Sequence, residues 1–255
     1  MDNLKYREFE IKKQFLVIDA FNFLLIAAGA SLKSEEENAF ERITWGMTSK
    51  LKKLFPGYTL FACWDTPEGT NFRKEISGEQ YKSNRTNHPK PLPIEDIIKM
   101  KDFFESKGII NVEIPETEGD DLIFILCKKL REQYPKSEIV IVSRDKDMLQ
   151  VVQKGYANKL FDYSRKKEIE VPFYDIVMYK SLVGDPADCI PGVKGIGDKG
   201  AKKLISEAMV TGSLKLNEDQ RKQYEKCLLL VDATKHPRFQ QNVDYLNDLL
   251  KDLHY

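Results

Sequence analysis

Acidic residues follow several apolar runs of this 255-residue chain, at the points where strands of a sheet would end. Asp19 comes directly after the first such run, and Asp65 comes after the second. Because the carboxyl ends of parallel strands meet at one edge of a sheet, we expect these side chains to share a pocket. The nine candidate ligands are Asp19, Asp65, Glu118, Asp120, Asp121, Asp145, Asp147, Asp185 and Asp188.

Carboxylates gathered in this way repel one another unless cations lie between them. Oxygen ligands select Mg²⁺ or Mn²⁺ over zinc, and the histidines lie away from the predicted strand ends, at His88, His236 and His254. A pair of divalent ions can activate water and stabilise a leaving oxygen. The pattern therefore predicts metal-assisted phosphodiester cleavage, with two Mg²⁺ ions that Mn²⁺ can replace and no small-molecule cofactor.

Helix capping is the alternative explanation for any one of these acids, since Asp and Glu stabilise helix N-termini. Capping needs only one acid for each helix. Seven of the nine acids, from Asp19 to Asp147, follow four successive strand-like runs. This excess favours a shared metal site over capping alone.

Composition limits where a nucleic acid could bind. The chain has 40 basic and 40 acidic residues, so a nucleic-acid surface must come from local clusters of charge.

The four cysteines form no CxxC pair, which is typical of reduced thiols in a cytoplasmic protein. Residues 15–30 are largely apolar, but Asp19 and Asn22 interrupt them, so we expect no membrane span.

Strand-like and helical segments alternate along the first two thirds of the chain. The strands are expected at 15–18, 60–64, 110–114 and 138–142, and the helices at 35–55, 94–107 and 118–133. This alternation predicts an α/β fold with a mostly parallel central sheet and helices on both faces. Later helices are expected at 173–184, 198–208, 217–232 and 238–253. We therefore expect an α/β core over residues 1–172 and a helical lobe over 173–255, packed as one globular unit.

Two basic segments accompany the acids. The first is a glycine-rich turn whose backbone amides and lysines could grip phosphates: Lys194, Gly195, Gly197, Lys199, Lys202 and Lys203. The second lies in the long polar connection 66–93 and offers Arg73, Tyr81, Lys82 and Arg85 to a nucleic acid. Either segment alone is better explained as an ordinary turn or a solvated loop. Their placement beside the predicted acidic pocket favours nucleic-acid binding.

These residues together resemble the 5′-nuclease (flap endonuclease) family, particularly small phage enzymes and the 5′-nuclease domain of bacterial DNA polymerase I. The similarity runs from about residue 16 to residue 204. Its motifs are Val-Ile-Asp19-Ala-Phe-Asn22, Trp64-Asp65, Tyr81-Lys-Ser-Asn-Arg85, Glu118-Gly-Asp-Asp121, Ser143-Arg-Asp-Lys-Asp147 and Gly184-Asp-Pro-Ala-Asp188 followed by Gly192-Val-Lys-Gly-Ile-Gly197. The last two motifs are the most specific.

The resemblance implies a PIN-like fold, a helical arch over about 66–93 that a single strand threads, and a helix–three-turn–helix DNA-binding motif over about 185–205. It implies that Asp19, Asp65, Glu118, Asp120 and Asp121 hold one metal ion. Asp145, Asp147, Asp185 and Asp188 then complete the pocket for a second ion. Lys82 and Arg85 would act with Asp19, Asp120 and Asp145 in catalysis, and carbonyls of residues 192–197 would hold K⁺.

The activity that the resemblance implies is a structure-specific 5′-nuclease of DNA replication or repair. It would act as a 5′-flap endonuclease and 5′-3′ exonuclease on branched, nicked or flapped DNA, and would remove RNA primers. The chain carries no polymerase segment, so we expect a free-standing monomer in the cytoplasm, or in the host cytoplasm if the protein is viral. Two alternatives remain: a PIN-type endoribonuclease, and a branched-DNA-binding protein without catalytic activity.

Overall fold

The four apolar runs of the sequence form neighbouring strands of one six-stranded sheet. The computed structural model describes residues 13–78, 80–84 and 92–252. Its strands are β1 (Gln14–Asp19), β2 (Thr59–Cys63), β3 (Ile109–Val112), β4 (Glu138–Val142), β5 (Lys159–Asp162) and β6 (Lys167–Glu168). They lie in the order β3-β2-β1-β4-β5-β6, with β6 alone antiparallel to its neighbour. The predicted α/β fold with a mostly parallel sheet is confirmed.

Strands β5 and β6 are absent from the sequence-based prediction. Strand β6 (Lys-Glu) is exposed at the edge of the sheet. Strand β5 (Lys-Leu-Phe-Asp) lies between β4 and β6, but its buried residues are only Leu160 and Asp162, so neither strand contains a continuous apolar run. The four predicted strands are confirmed to within a few residues.

Helices cover both faces of the sheet. They are α1 (Ala20–Ser31), α2 (Ala39–Leu54), α3 (Asn71–Ser77), α4 (Ile94–Ser106), α5 (Gly119–Gln133), α6 (Leu149–Gln153), α7 (Ile176–Val183), α8 (Asp198–Thr211), α9 (Glu218–Val231) and α10 (Phe239–Asp252). Among the residues that the structure describes, no helix combines the length and the apolar character needed to cross a membrane.

Alternate residues of each inner strand feed two separate apolar clusters. In β1, Phe15 and Val17 pack on the face covered by α5, whereas Leu16 and Ile18 pack on the face covered by α1 and α2. Buried side chains of α9 and α10 join the α5 cluster. The helical lobe therefore shares a core with one face of the sheet, and the domain boundary near residue 172 stays a prediction.

A tight loop joins α7 to the glycine-rich turn before α8. Gly184 and Gly192 have φ angles of +88° and +72°, and Asp185 pairs with Ile190 in an isolated β-bridge between them. A Cβ atom on Gly184 would lie 2.5 Å from Ile190 O, and one on Gly192 would lie 2.5 Å from Gly184 N. Only glycine fits both positions, because the two backbone segments touch.

The polar connection between β2 and α4 is only partly described. It contains α3 and a turn at residues 80–84, whereas residues 79 and 85–91 lie outside the described residues. Arg85, a predicted catalytic residue, lies in the second of these ranges. The helical arch over 66–93 therefore stays a prediction.

Replacing Gly192 with alanine should destabilise the protein, because the new Cβ meets backbone atoms that cannot rotate away. We expect the positive φ to lower the free energy of unfolding by about 1–3 kcal/mol, and the clash to lower it further. Gly155→Ala is the matched control, since Gly155 has a φ of +75° with nothing within 4 Å of its would-be Cβ. Equal losses for the two variants in urea titrations would contradict the close contact.

Candidate active site

The carboxyl ends of β1 and β4 lie side by side where the strand order reverses. In parallel α/β sheets this switch point is the usual position of a ligand crevice. Asp19 ends β1, Asp145 follows β4, and Asp65 follows β2 on the other side of β1. The sheet therefore brings together three acids that are up to 126 residues apart in sequence.

Asp19 has fixed partners for both carboxylate oxygens. Its Oδ1 accepts from the backbone N–H of Asn22 at 3.0 Å and so caps α1, while its Oδ2 accepts from Ser143 Oγ at 2.7 Å. Burial and the nearby charge of Asp65 raise the pKa of Asp19 to about 7. A buried carboxylate with such a pKa is stabilised by any cation placed beside it.

The first turn of α5 binds Asp65 and carries Asp120. Asp65 Oδ1 accepts from the backbone N–H of Gly119 at 2.9 Å, and a Cβ on Gly119 would lie 2.9 Å from Asp65 Oδ2. Asp120, one residue further, is half-buried. Burial, Asp145 and Asp19 raise its pKa well above the usual value, although Lys82 acts in the opposite direction. Asp120 therefore faces the same pocket as the acids at the strand ends.

A second acidic group lies beside the first. Asp147, Asp185 and Asp188 can place one oxygen each within 4.8 Å of one another. Lys180 of α7 bridges two of them, since its Nζ pairs with Asp147 and lies 2.6 Å from Asp185 Oδ2. Burial raises the pKa of Asp145 next to this group, and Asp188 adds to that effect while Lys180 opposes it.

Lys82 lies at the boundary between the connection 66–93 and the acidic pocket. Its Nζ pairs with Glu118 Oε1, its backbone N–H donates to Asp188 O at 3.2 Å, and its φ angle is +56°. Burial alone would raise the pKa of Glu118, but the charges of Lys82 and Arg73 hold it below the usual value. A rarely populated φ at a residue in the pocket is typical of a functional position.

Arg73 and Tyr81 lie deeper than the sequence-based prediction required. Arg73 is 5% exposed and forms a bidentate pair with Asp121, and Tyr81 is 4% exposed, with its hydroxyl 3.2 Å from Glu118 Oε2. Both side chains are buried against Glu118 and Asp121 at the start of α5, and their predicted contact with a nucleic acid stays a prediction. Both carboxylate oxygens of Asp121 accept from Arg73, and its role as a metal ligand stays a prediction.

The lysines of the glycine-rich turn lie at the surface. Lys194, Lys199 and Lys203 are exposed, whereas Lys202 pairs with Asp198 at 2.6 Å and lies 5.4 Å from the centre of the Tyr174 ring. Gly197 caps α8, and Gly195 has a φ of +82°. The turn therefore exposes positive charge at the N-terminus of α8, and its predicted contact with a nucleic acid stays a prediction.

Comparison with known families gives this arrangement a context. Residues 14–176 match the family described as the 5′-3′ exonuclease, N-terminal resolvase-like domain. The chain belongs to the 5′-3′ exonuclease family. The match covers the whole sheet and the acids from Asp19 to Asp147, and the predicted family is confirmed.

Individual members of the 5′-3′ exonuclease family align over most of this chain. A 5′-3′ exonuclease of Buchnera aphidicola is 31% identical over 229 residues, which span 84% of this chain and 72% of that protein. The flap endonuclease Xni of Shewanella denitrificans is 29% identical and covers 75% of this chain and 77% of its own length. The T5 D15 protein, crystallised with metal ions, shares the fold with a TM-score of 0.68, at 19% identity, over 94% of this chain and 99% of its own.

The pocket fits divalent cations. Its donors are carboxylate oxygens, several with pKa values raised by burial and by one another. Such a set selects hard cations. The residues that would hold them are Asp19, Asp65, Glu118, Asp120 and Asp145 on one side, and Asp147, Asp185 and Asp188 on the other.

Lys180 and Ser143 are pocket residues that the sequence analysis did not single out as candidates. Ser143 stood inside a motif, but its bond to Asp19 depends on β1 and β4 being neighbours. Lys180 lies five residues before Asp185 on a helix of ordinary composition. Its position about one helical turn before the predicted ligand Asp185 is the feature of the sequence that could have identified Lys180 as a pocket residue.

Replacing Lys180 with methionine should make the protein depend more on divalent cations. The variant keeps the side-chain length but leaves Asp147 and Asp185 without their shared positive partner, so repulsion in the cluster increases. We expect a lower midpoint of thermal unfolding in EDTA and a larger rise on adding Mg²⁺ than in the wild type.

Lys159→Met is the control for this variant, because Lys159 pairs with Glu138 at the surface, 3.4 Å away. A rise with Mg²⁺ that is the same in wild type and Lys180→Met would show that the lysine and the cation do not compete for the same carboxylates.

Proposed function

We propose that this protein is a metal-dependent 5′-nuclease that cleaves phosphodiesters near junctions of single-stranded and duplex DNA. The observation that carries the proposal is the pocket of carboxylates at the β1/β4 switch point, whose repulsion calls for divalent cations. Membership of the 5′-3′ exonuclease family, with relatives named 5′-3′ exonuclease and flap endonuclease, supports it. We further propose that the cations are two Mg²⁺ ions and that the chain acts as a monomer.

Bound Mg²⁺ would supply a more acidic water and a positive charge at the leaving oxygen. The groups of the protein itself orient the carboxylates and place a positive charge near the phosphate. Ser143 and the N–H of Asn22 fix the plane of the Asp19 carboxylate, and the N–H of Gly119 fixes Asp65. Lys82 is held at the mouth of the pocket by Glu118, so a phosphate entering there would find an ammonium group within reach.

The duplex part of the substrate would lie on the glycine-rich turn. Lys194, Lys199 and Lys203 are exposed there, beside backbone amides at the start of α8. Contacts of this kind grip phosphates without reading bases. We propose that this segment is the predicted DNA-binding motif over about 185–205, and that K⁺ at residues 192–197 assists it.

The decisive assay compares substrates. Purified protein with Mg²⁺ is incubated with end-labelled 5′-flap, nicked, blunt and single-stranded DNA, and with an RNA-primed duplex, and the products are sized. We expect cleavage at the junction of the flap and release of short 5′ products from nicked and RNA-primed DNA. Cleavage of structured RNA alone would favour the PIN-type endoribonuclease, and binding of flap DNA without cleavage would favour a non-catalytic DNA-binding protein.

Replacing Asp120 or Asp145 with asparagine should abolish cleavage of the 5′-flap substrate. Each variant keeps the side-chain shape but removes a charge that would hold a cation, so binding of the flap in Ca²⁺ should remain close to wild type. Asp102→Asn, an exposed acid of α4, is the control. Wild-type rates in both pocket variants would eliminate the metal assignment.

Replacing Lys82 with alanine should slow cleavage by about 10²–10³-fold at saturating DNA, because its charge would act on the phosphate as negative charge develops. Binding of the flap in Ca²⁺ should change far less than the rate. Lys99→Ala, at an exposed position of α4, serves as the control. An equal loss of affinity and rate would mean that Lys82 only tethers the DNA.

A further inference from the structure

Arg73 uses its guanidinium entirely inside the protein. Its Nε donates to Leu230 O at 2.9 Å, and its Nη1 donates to Glu118 Oε2 at 2.6 Å and to Asp121 Oδ2 at 2.7 Å. Its Nη2 donates to Asp121 Oδ1 at 2.8 Å. These four contacts and an exposure of 5% hold the guanidinium among groups of the protein itself.

Asp121 pairs with Arg73 through its whole carboxylate group. Both of its oxygens accept from Arg73, and the residue has no exposed surface. Consecutive residues of a helix point about 100° apart, so Asp121 faces α3 whereas Asp120 faces the acids at the strand ends. The two aspartates of one motif therefore have different partners.

Glu118 is held asymmetrically by the same arginine. Its Oε2 accepts from Arg73 at 2.6 Å and from the Tyr81 hydroxyl at 3.2 Å, whereas its Oε1 faces Lys82. Because Arg73 and Tyr81 occupy Oε2, Oε1 is the Glu118 oxygen on which a cation would take the place of Lys82. Arg73 thus determines which Glu118 oxygen points into the pocket.

We propose that Arg73 and Asp121 form a positioning pair for Glu118: Arg73 orients Glu118 Oε1 toward the cations, and Asp121 anchors Arg73 instead of binding a cation. The inference rests on the proposed function, since it assumes that the pocket binds divalent ions. The bond from Arg73 to Leu230 O also attaches the orienting group to the end of α9, so the helical lobe contributes to the geometry of the pocket.

The planar guanidinium of Arg73 can donate to Asp121 and Glu118 at the same time. Lysine carries the same charge but has no second pair of parallel donors, so it cannot hold Asp121 and Glu118 in one plane. Residues that orient metal ligands typically contribute about 10- to 100-fold to metal affinity. Removing one partner of a buried pair also destabilises a protein strongly, which a test must separate from positioning.

The experiment is a calorimetric titration of Mn²⁺ into the full-length protein without DNA, with unfolding midpoints measured in EDTA. We expect Arg73→Lys and Asp121→Asn to weaken Mn²⁺ binding by about 10- to 100-fold with the number of bound ions unchanged. Asp120→Asn should remove a binding site. Arg131→Lys is the control. Arg131 lies on α5, as Asp121 does, but it donates to Ser137 O at 2.8 Å and to Asn158 Oδ1 at 2.7 Å, outside the pocket.

The double variant Arg73→Met with Asp121→Leu is the test to use if a single variant does not fold. It removes both buried charges together, so stability should be largely kept, while Glu118 loses its orienting partner. Reduced Mn²⁺ affinity in this folded protein supports positioning, and wild-type affinity overturns it.

Three other results would also overturn the inference. Asp121→Asn could lose one bound ion, which would make Asp121 a ligand. Arg131→Lys could weaken Mn²⁺ binding as much as Arg73→Lys, which would make the effect structural. Arg73→Lys could weaken DNA binding in Ca²⁺ with Mn²⁺ binding intact, which would make Arg73 a DNA contact. None of these titrations requires cleavage, so an inactive wild type would refute the proposed function separately.

Discussion

Repulsion among buried carboxylates is the interaction on which the rest of this structure depends. Asp19, Asp120 and Asp145 each have a raised pKa, caused first by burial and then partly by other acids of the pocket. The raised pKa values mean that burying these groups in their charged form costs free energy of folding. Such a pocket persists because the hydrophobic core on both faces of the sheet outweighs it, and because positive groups oppose the repulsion.

Those positive groups come from elements outside the sheet. Arg73 lies on α3, Lys82 lies in the turn that follows, and Lys180 lies on α7. Each must dock against the strand ends for the acids to be neutralised. The pocket is therefore sensitive to how α3 and the helical lobe pack, and a change at Leu230, to which Arg73 donates, could reach Glu118 without touching DNA.

The close approach of Gly184 and Gly192 serves the same purpose from the other side. It closes the loop that carries Asp185 and Asp188, and it leads directly into the glycine-rich turn before α8. A single short segment thus links the acidic pocket to the surface proposed for duplex DNA. This connection gives a physical reason for the short spacing between the last acids and the lysines.

The sequence alone determined the fold class, the strands β1 to β4 and the acids that follow them, because buried parallel strands are continuous apolar runs and an acid after such a run is conspicuous. It also determined the family, through motifs with specific spacing. Only the tertiary structure decided what each polar side chain contacts. Asp120 and Asp121 are alike in sequence, yet one faces the acids and the other faces Arg73, since their directions depend on the packing of α5 against α3. Arg73 and Lys180 are ordinary basic residues in the sequence, and their roles arise from contacts with partners that are distant in the chain or on another element, which no local pattern encodes.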